Sequence, residues 1–199
     1  VILAVGPASN SLNFVRSSLA ICTKRRSNAN CYTDFPCYYD RVVESKIMDA
    51  LTLYRISNKF HRKGWRRLSK LLTKLNYLVF GCYIPGSATI GAGTRIAYGG
   101  MAVVIHADAV IGRECLIGQC VTLGAKKAEV SNETHPCPTV GDNVYIAAGA
   151  KLLGGISIGS YSIIGANSVV LESFPSYSII AGLPARRIRD NDSDYRVMT

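Results

Sequence analysis

Residues 82–189 are predicted to fold as a mainly β solenoid of six-residue steps, and three observations carry that prediction. An aliphatic residue returns every six positions: Ile84, Ile90 and Ile96, then Ile105, Ile111, Ile117 and Leu123, then Val140, Ile146, Leu152, Ile158, Ile164 and Val170. Gly follows that residue at 91, 112, 118, 124, 141, 159 and 165. A small or β-branched residue precedes it by two at Ala88, Thr94, Ala109, Cys115, Ala150, Ser162 and Ser168. The period matches neither the roughly 3.6 of a helix nor the 2 of a half-buried strand, whereas a fixed phase held over many turns is the mark of a stacked repeat. Three hexads closing one triangular coil, roughly 18 residues long, would turn the aliphatic column inward and set the small residues at the corners. A sandwich with regularly spaced turns is the competing architecture.

The 199 residues divide by composition. Residues 1–40, with Pro7, Pro36 and a polar stretch from Thr23 to Asn30, have no assigned role. Residues 41–81 read as a basic helical segment. Ile47, Leu51 and Tyr54, then Leu68, Leu71, Leu72 and Leu75, recur at spacings of three and four, and Gly64 marks a break between two helices. Of the net charge of +10, nearly all lies here: residues 41–80 hold ten Lys/Arg against two Asp/Glu, while residues 81–199 hold nine of each. Lys/Arg at 55, 59, 62, 63, 66, 67, 70 and 74 occupy the remaining faces beside Trp65 and Tyr77. Two readings stay open: a basic amphipathic surface for anionic lipid headgroups, or a solvated face whose apolar side packs on the end of the solenoid. No nucleic-acid-binding motif accompanies the charge, so nucleic acid is not an expected partner.

Gly81-Cys82-Tyr83-Ile84-Pro85 opens the repeats. Two interruptions break them, a nine-residue step from Ile96 to Ile105 and a seventeen-residue step from Leu123 to Val140. A solenoid can eject loops without losing its core, and function concentrates on such loops. The repeats end near Val170, Ala181-Gly182-Leu183-Pro184-Ala185-Arg186 follows, and residues 190–199 form a polar tail.

Seven Cys without a CxxC pair point to reduced thiols in a cytoplasmic setting, with Cys115 as core filler. No apolar run approaches the roughly 20 residues that span a bilayer. The opening Val1-Ile2-Leu3-Ala4-Val5 is too short for a signal-peptide core.

The chemistry narrows to histidine. His61 belongs to the basic helices, whereas His106 and His135 sit beside the two interruptions, 29 residues apart, and can face one cleft. An imidazole titrates near neutrality and accepts a proton from an attacking hydroxyl, as group transfer requires. The alternative is that His106 caps a corner and His135 is plain loop. Zinc wants three or four ligands; with only two His in the solenoid and no close His pair, no metal is expected.

Taken together, the hexads, the loop from Val121-Thr122-Leu123-Gly124 to His135-Pro136, the stretches 146–154 and 164–170, and the closing 181–186 motif resemble the serine acetyltransferase group of hexapeptide-repeat acyltransferases. The resemblance covers roughly residues 82–189. It implies a left-handed parallel β-helix assembled as a homotrimer, or a dimer of trimers, with acetyl-CoA as co-substrate in the groove between neighbours and no metal. It matches His135 to the loop His of the acceptor site, Ala148 and Ala166 to positions whose backbone meets the pantetheine arm, and Gly182 to the motif bordering the cofactor. Arg186, Arg187, Lys126 or Lys127 would meet the phosphates. The backbone N–H groups near Gly124 would hold the oxyanion.

One departure stands out. The Asp–His dyad of serine-specific members falls on Tyr83 and Tyr98, and tyrosine is a poor base near neutral pH. The Tyr98–His106 run instead resembles the branch found with polysaccharide biosynthesis, with His106 as the substitute base and Tyr98 and Asp108 beside the acceptor. The expected function is therefore acetyl-CoA-dependent O-acetyl transfer, by His106 and His135 in an order left open, to a sugar hydroxyl of a surface-glycan precursor. Serine O-acetylation is the alternative, and a catalytically silent scaffold is the alternative of another class. Basic helices at the inner face of the membrane would suit a lipid-linked acceptor.

Overall fold

The computed structural model of the chain describes residues 49–125 and 136–191. Among the described residues, two helices come first. In α1 (Ala50–Arg62), the Asp49 side chain caps the N-terminus by accepting from the Thr52 N–H at 2.7 Å, and Lys59, His61 and Arg62 meet the negative end of the dipole. Gly64, at φ +85°, turns the chain. Helix α2 (Arg66–Phe80) closes on Gly81 in the left-handed region, whose N–H returns to the Tyr77 carbonyl.

Twelve short strands follow, β1 (Thr89–Ile90), β2 (Arg95–Ile96), β3 (Val104–Ile105), β4 (Val110–Ile111), β5 (Leu116–Ile117), β6 (Thr122–Gly124), β7 (Thr139–Val140), β8 (Tyr145–Ile146), β9 (Lys151–Leu153), β10 (Ser157–Ile158), β11 (Ile163–Ile164) and β12 (Val169–Val170). Every third strand stacks in parallel. The first face is β1-β4-β7-β10, the second runs through β2, β5, β8 and β11, and the third is β3-β6-β9-β12. An antiparallel hairpin, β13 (Ser178–Gly182) and β14 (Ala185–Asp190), extends the second face and ends it.

The hexad column is the core. Ile84, Ile105, Ile111, Ile117, Leu123, Ile146, Leu152, Ile158, Ile164 and Val170 are at most 1% exposed. The small residues two places earlier, Ala88, Thr94, Ala109, Cys115, Ala150, Ser162 and Ser168, are buried with them. Glycine after the aliphatic is required by closeness between coils: a Cβ on Gly91 would lie 2.5 Å from the Gly112 carbonyl carbon, and one on Gly112 equally near Gly141. The coil repeat is 18 residues, as in Val104 over Thr122 and Thr139 over Ser157. It lengthens to 29 where Val110 lies over Thr139, across the second interruption. The first interruption is a tight turn, Ala97–Gly100, with Tyr98 and Gly99 at positive φ.

Helix α1 packs on the solenoid as one reading expected. Leu51 and Tyr54 are buried, the Tyr54 hydroxyl donates to the Ala88 carbonyl at 2.6 Å, and Asn58 Nδ2 donates to the Gly86 carbonyl at 2.7 Å. Helix α2 corrects that expectation. Its buried residues are Ser69, Thr73 and Asn76, while Leu71 is 61% and Leu75 44% exposed. The seam is polar instead: Ser57 Oγ donates to the Ser69 carbonyl at 3.0 Å, and Asn76 Nδ2 to the Ala50 carbonyl at 3.1 Å. Ile47 and the segments 1–40 and 192–199 lie outside the described residues.

Candidate functional site

Strand order assigns the candidate residues to edges of the prism. His106 and Asp108 follow β3 and precede β4, on the edge between the third and first faces; the long excursion after Gly124 leaves from that edge and returns to it at Cys137. Ala148 and Ala166 lie between β8 and β9 and between β11 and β12, on the edge between the second and third faces. They are stacked one coil apart, the Asn167 N–H donating to the Ala148 carbonyl at 2.9 Å. Tyr98 occupies the same edge in the first coil. Gly182 borders it too, its N–H donating to Ser168 Oγ at 3.2 Å. The residues matched to the cofactor thus share one edge, and His106 with Asp108 holds another. Within one chain Tyr98 and His106 stand on different edges.

The His106 corner is built by the coil. Its N–H donates to the Leu123 carbonyl at 2.9 Å, and its carbonyl accepts from Ala109 at 3.2 Å, which fixes the turn 106–109. The side chain is 40% exposed, and that of Asp108 71%. Cys137 Sγ lies 3.0 Å from His106 Nδ1, and Asp108 Oδ2 lies 3.7 Å from the same nitrogen. The Asp108 backbone N–H also points at Nδ1, at 3.3 Å. A backbone N–H can only donate, so Nδ1 is assigned as the acceptor and the ring proton to Nε2. Burial, with the Asp108 carboxylate adding to it, pushes the Cys137 thiol up, so the thiol is the neutral donor of its pair.

Sequence reasoning missed Cys137. The signal was available: an offset of 29 across the excursion puts Cys137 one coil beyond Asp108. His135, Lys126 and Lys127 lie outside the described residues. Gly124 lies in β6 opposite Leu153, its carbonyl accepting from Gly154 at 3.0 Å, so its peptide is part of the ladder. Arg186 Nη1 pairs with Glu172 at 2.8 Å, and Arg187 pairs with Asp190. Each guanidinium has a carboxylate that a phosphate would have to displace.

A model of the bacterial transferase hexapeptide family, described as six repeats, matches residues 137–172. A serine acetyltransferase of Bacillus subtilis (strain 168) is 34% identical over 159 residues, which are 80% of this chain and 71% of that protein. The chain belongs to the serine acetyltransferase family. A second member, from Synechococcus elongatus, is 40% identical over 139 residues, 70% of this chain and 55% of its own length. A solved serine acetyltransferase in complex with CoA superposes with a TM-score of 0.62 at 37% identity, covering 70% of this chain and 55% of that one. The chain therefore spans little more than half the length of some of the relatives it matches. Its architecture is the left-handed parallel β-helix that the family resemblance implied, preceded by helices. Among the described residues no helix is long and apolar enough to cross a membrane.

Proposed function

We propose that the chain transfers the acetyl group of acetyl-CoA to the hydroxyl of L-serine, giving O-acetylserine and CoA. The observation that carries this reading is the 34–40% identity to proteins named serine acetyltransferase, extending over 70–80% of the chain. It reverses the order of acceptors drawn from Tyr83 and Tyr98, so the sugar hydroxyl becomes the second choice.

The separation of edges supports a site shared between copies. A residue set for the pantetheine arm on one edge and an imidazole on another meet where two prisms lie side by side, which is the groove of a homotrimer. There the serine hydroxyl loses its proton to an imidazole and attacks the thioester carbonyl. The tetrahedral oxyanion collapses, and the CoA thiolate leaves and takes up a proton. His106, with Nδ1 as acceptor and the ring proton on Nε2, is suited to donate to the acceptor oxygen; His135 is then the base. Comparing thiol release with L-serine, sugar nucleotides and lipid-linked glycans tests the acceptor. Turnover on a sugar alone would restore the glycan reading, and none on any of them would favour the silent scaffold.

A peripheral membrane contact is supported by α2. Leu71, Leu75 and Leu78, the last 78% exposed, form a stripe turned away from the polar seam, with Trp65 at the helix start and Arg66, Arg67, Lys70 and Lys74 exposed alongside.

A further inference from the structure

We propose that His106, Asp108 and Cys137 form a binding site for a thiophilic divalent cation, zinc by its chemistry. The three ligand atoms, Nδ1, a carboxylate oxygen and Sγ, all lie within 4.8 Å of one another, and among the described residues this is the sole such group. Counting histidines hid the site, because its donors are three different residue types.

The geometry is that of a chelate. In a proton relay the imidazole uses both nitrogens, one toward the nucleophile and one toward the orienting carboxylate. Here thiol and carboxylate both lie against Nδ1, which also accepts from the Asp108 N–H at 3.3 Å, a long bond that an ion on Nδ1 would replace. Zinc bonds of about 2.3 Å to sulfur and about 2.0–2.2 Å to nitrogen and oxygen, at tetrahedral angles, set ligand atoms roughly 3.3–3.6 Å apart. The observed 3.0 Å between Sγ and Nδ1 and 3.7 Å between Nδ1 and Oδ2 bracket that range. The larger adjustment is an opening of the Sγ–Nδ1 pair by roughly half an ångström, and the exposed Asp108 carboxylate closes in by rotation.

Binding forms bonds from the ion to Sγ, Nδ1 and the carboxylate. The thiol proton goes to solvent, and no electron is transferred. Thiolate with imidazole selects zinc, cobalt or cadmium over magnesium and calcium. The coil holds the cluster in place: Cys137 is 3% exposed, and the Val110 N–H donates to the Pro138 carbonyl at 3.1 Å, joining the two strands of chain that carry the ligands. The site does not depend on which acceptor the enzyme uses.

Cobalt(II) titrated into the 199-residue protein is the test, read by its thiolate charge-transfer absorption. The expected result is one equivalent bound with that band, zinc displacing it and magnesium not. Cys137→Ser should abolish the band, and His106→Ala should weaken binding by at least the roughly 10–100-fold that loss of a mere outer-shell partner costs. Asp108→Asn, at an exposed position, should weaken binding while keeping the band, which maintains the test should the cysteine variant fail to fold. A band unchanged in Cys137→Ser, equal affinity in Asp108→Asn, or no band in the parent protein would each overturn the proposal.

Discussion

Cys137 Sγ lies 3.0 Å from His106 Nδ1, although 31 residues separate them in the chain. The β-helix makes this neighbour pair by stacking β4 on β7 in register across the second interruption. The same nitrogen receives the Asp108 N–H, which leaves the ring proton on Nε2.

The two imidazoles should therefore differ in how their loss reads out. His135→Ala is expected to lower kcat by about 10² or more, as for a general base. His106→Ala, removing a donor that holds the acceptor, should act mainly through KM for the acceptor. Steady-state kinetics with each substrate varied in turn separates the two.

Stability should depend steeply on the hexad column and on the helix dock. Leu152→Ala, at a fully buried position, should cost about 2–5 kcal/mol. Tyr54→Phe should cost about 1–3 kcal/mol, because the hydroxyl that donates to Ala88 also accepts from the Ile90 N–H, which loses its partner, while the Ala88 carbonyl keeps only the longer bond from Asn58 Nδ2 at 3.4 Å. Chemical denaturation checks both, and a cost near zero for Tyr54→Phe would mean that α1 is not held as described.

The buried Cys82 thiol gives stability a pH dependence with a definite sign. Burial raises it from 9.0 to about 11, so the folded state keeps its proton where the unfolded chain has lost it. Its contribution is complete below pH 9 and is lost as pH rises toward 11. The denaturation midpoint should fall across that window, and fall less in Cys82→Ala.

Membrane contact through α2 predicts co-sedimentation with vesicles containing anionic lipid, weakened by salt. Replacing Leu71, Leu75 and Leu78 together by Ser should abolish it without loss of fold, since all three face solvent. Equal binding to neutral vesicles, or no binding to either, would remove lipid as the partner.

The solenoid was legible because every hexad repeats one physical demand: an inward aliphatic, a small residue at the corner and a glycine where backbones touch. The end of the coil was not. The leucines of α2 imply an inward apolar face, yet the seam with α1 is made by Ser57, Ser69 and Asn76, whose hydrogen bonds to one another and to backbone carry no periodic signature. His106 was visible from its place beside an interruption. Its partner Cys137 was missed although the hexad phase, with Val140 one coil beyond Ile111, carries the offset that sets it beside Asp108. The matched cofactor positions Ala148 and Ala166 fall on one edge because they are one 18-residue coil apart, a relationship the repeat encodes directly.

The central claim is tested most directly by incubating the purified protein with isotopically labelled acetyl-CoA and L-serine and weighing the amino-acid product. The account predicts labelled O-acetylserine formed in step with CoA, and lost in His135→Ala. CoA release without acetylated serine, or label appearing only when a sugar acceptor is supplied, would contradict it.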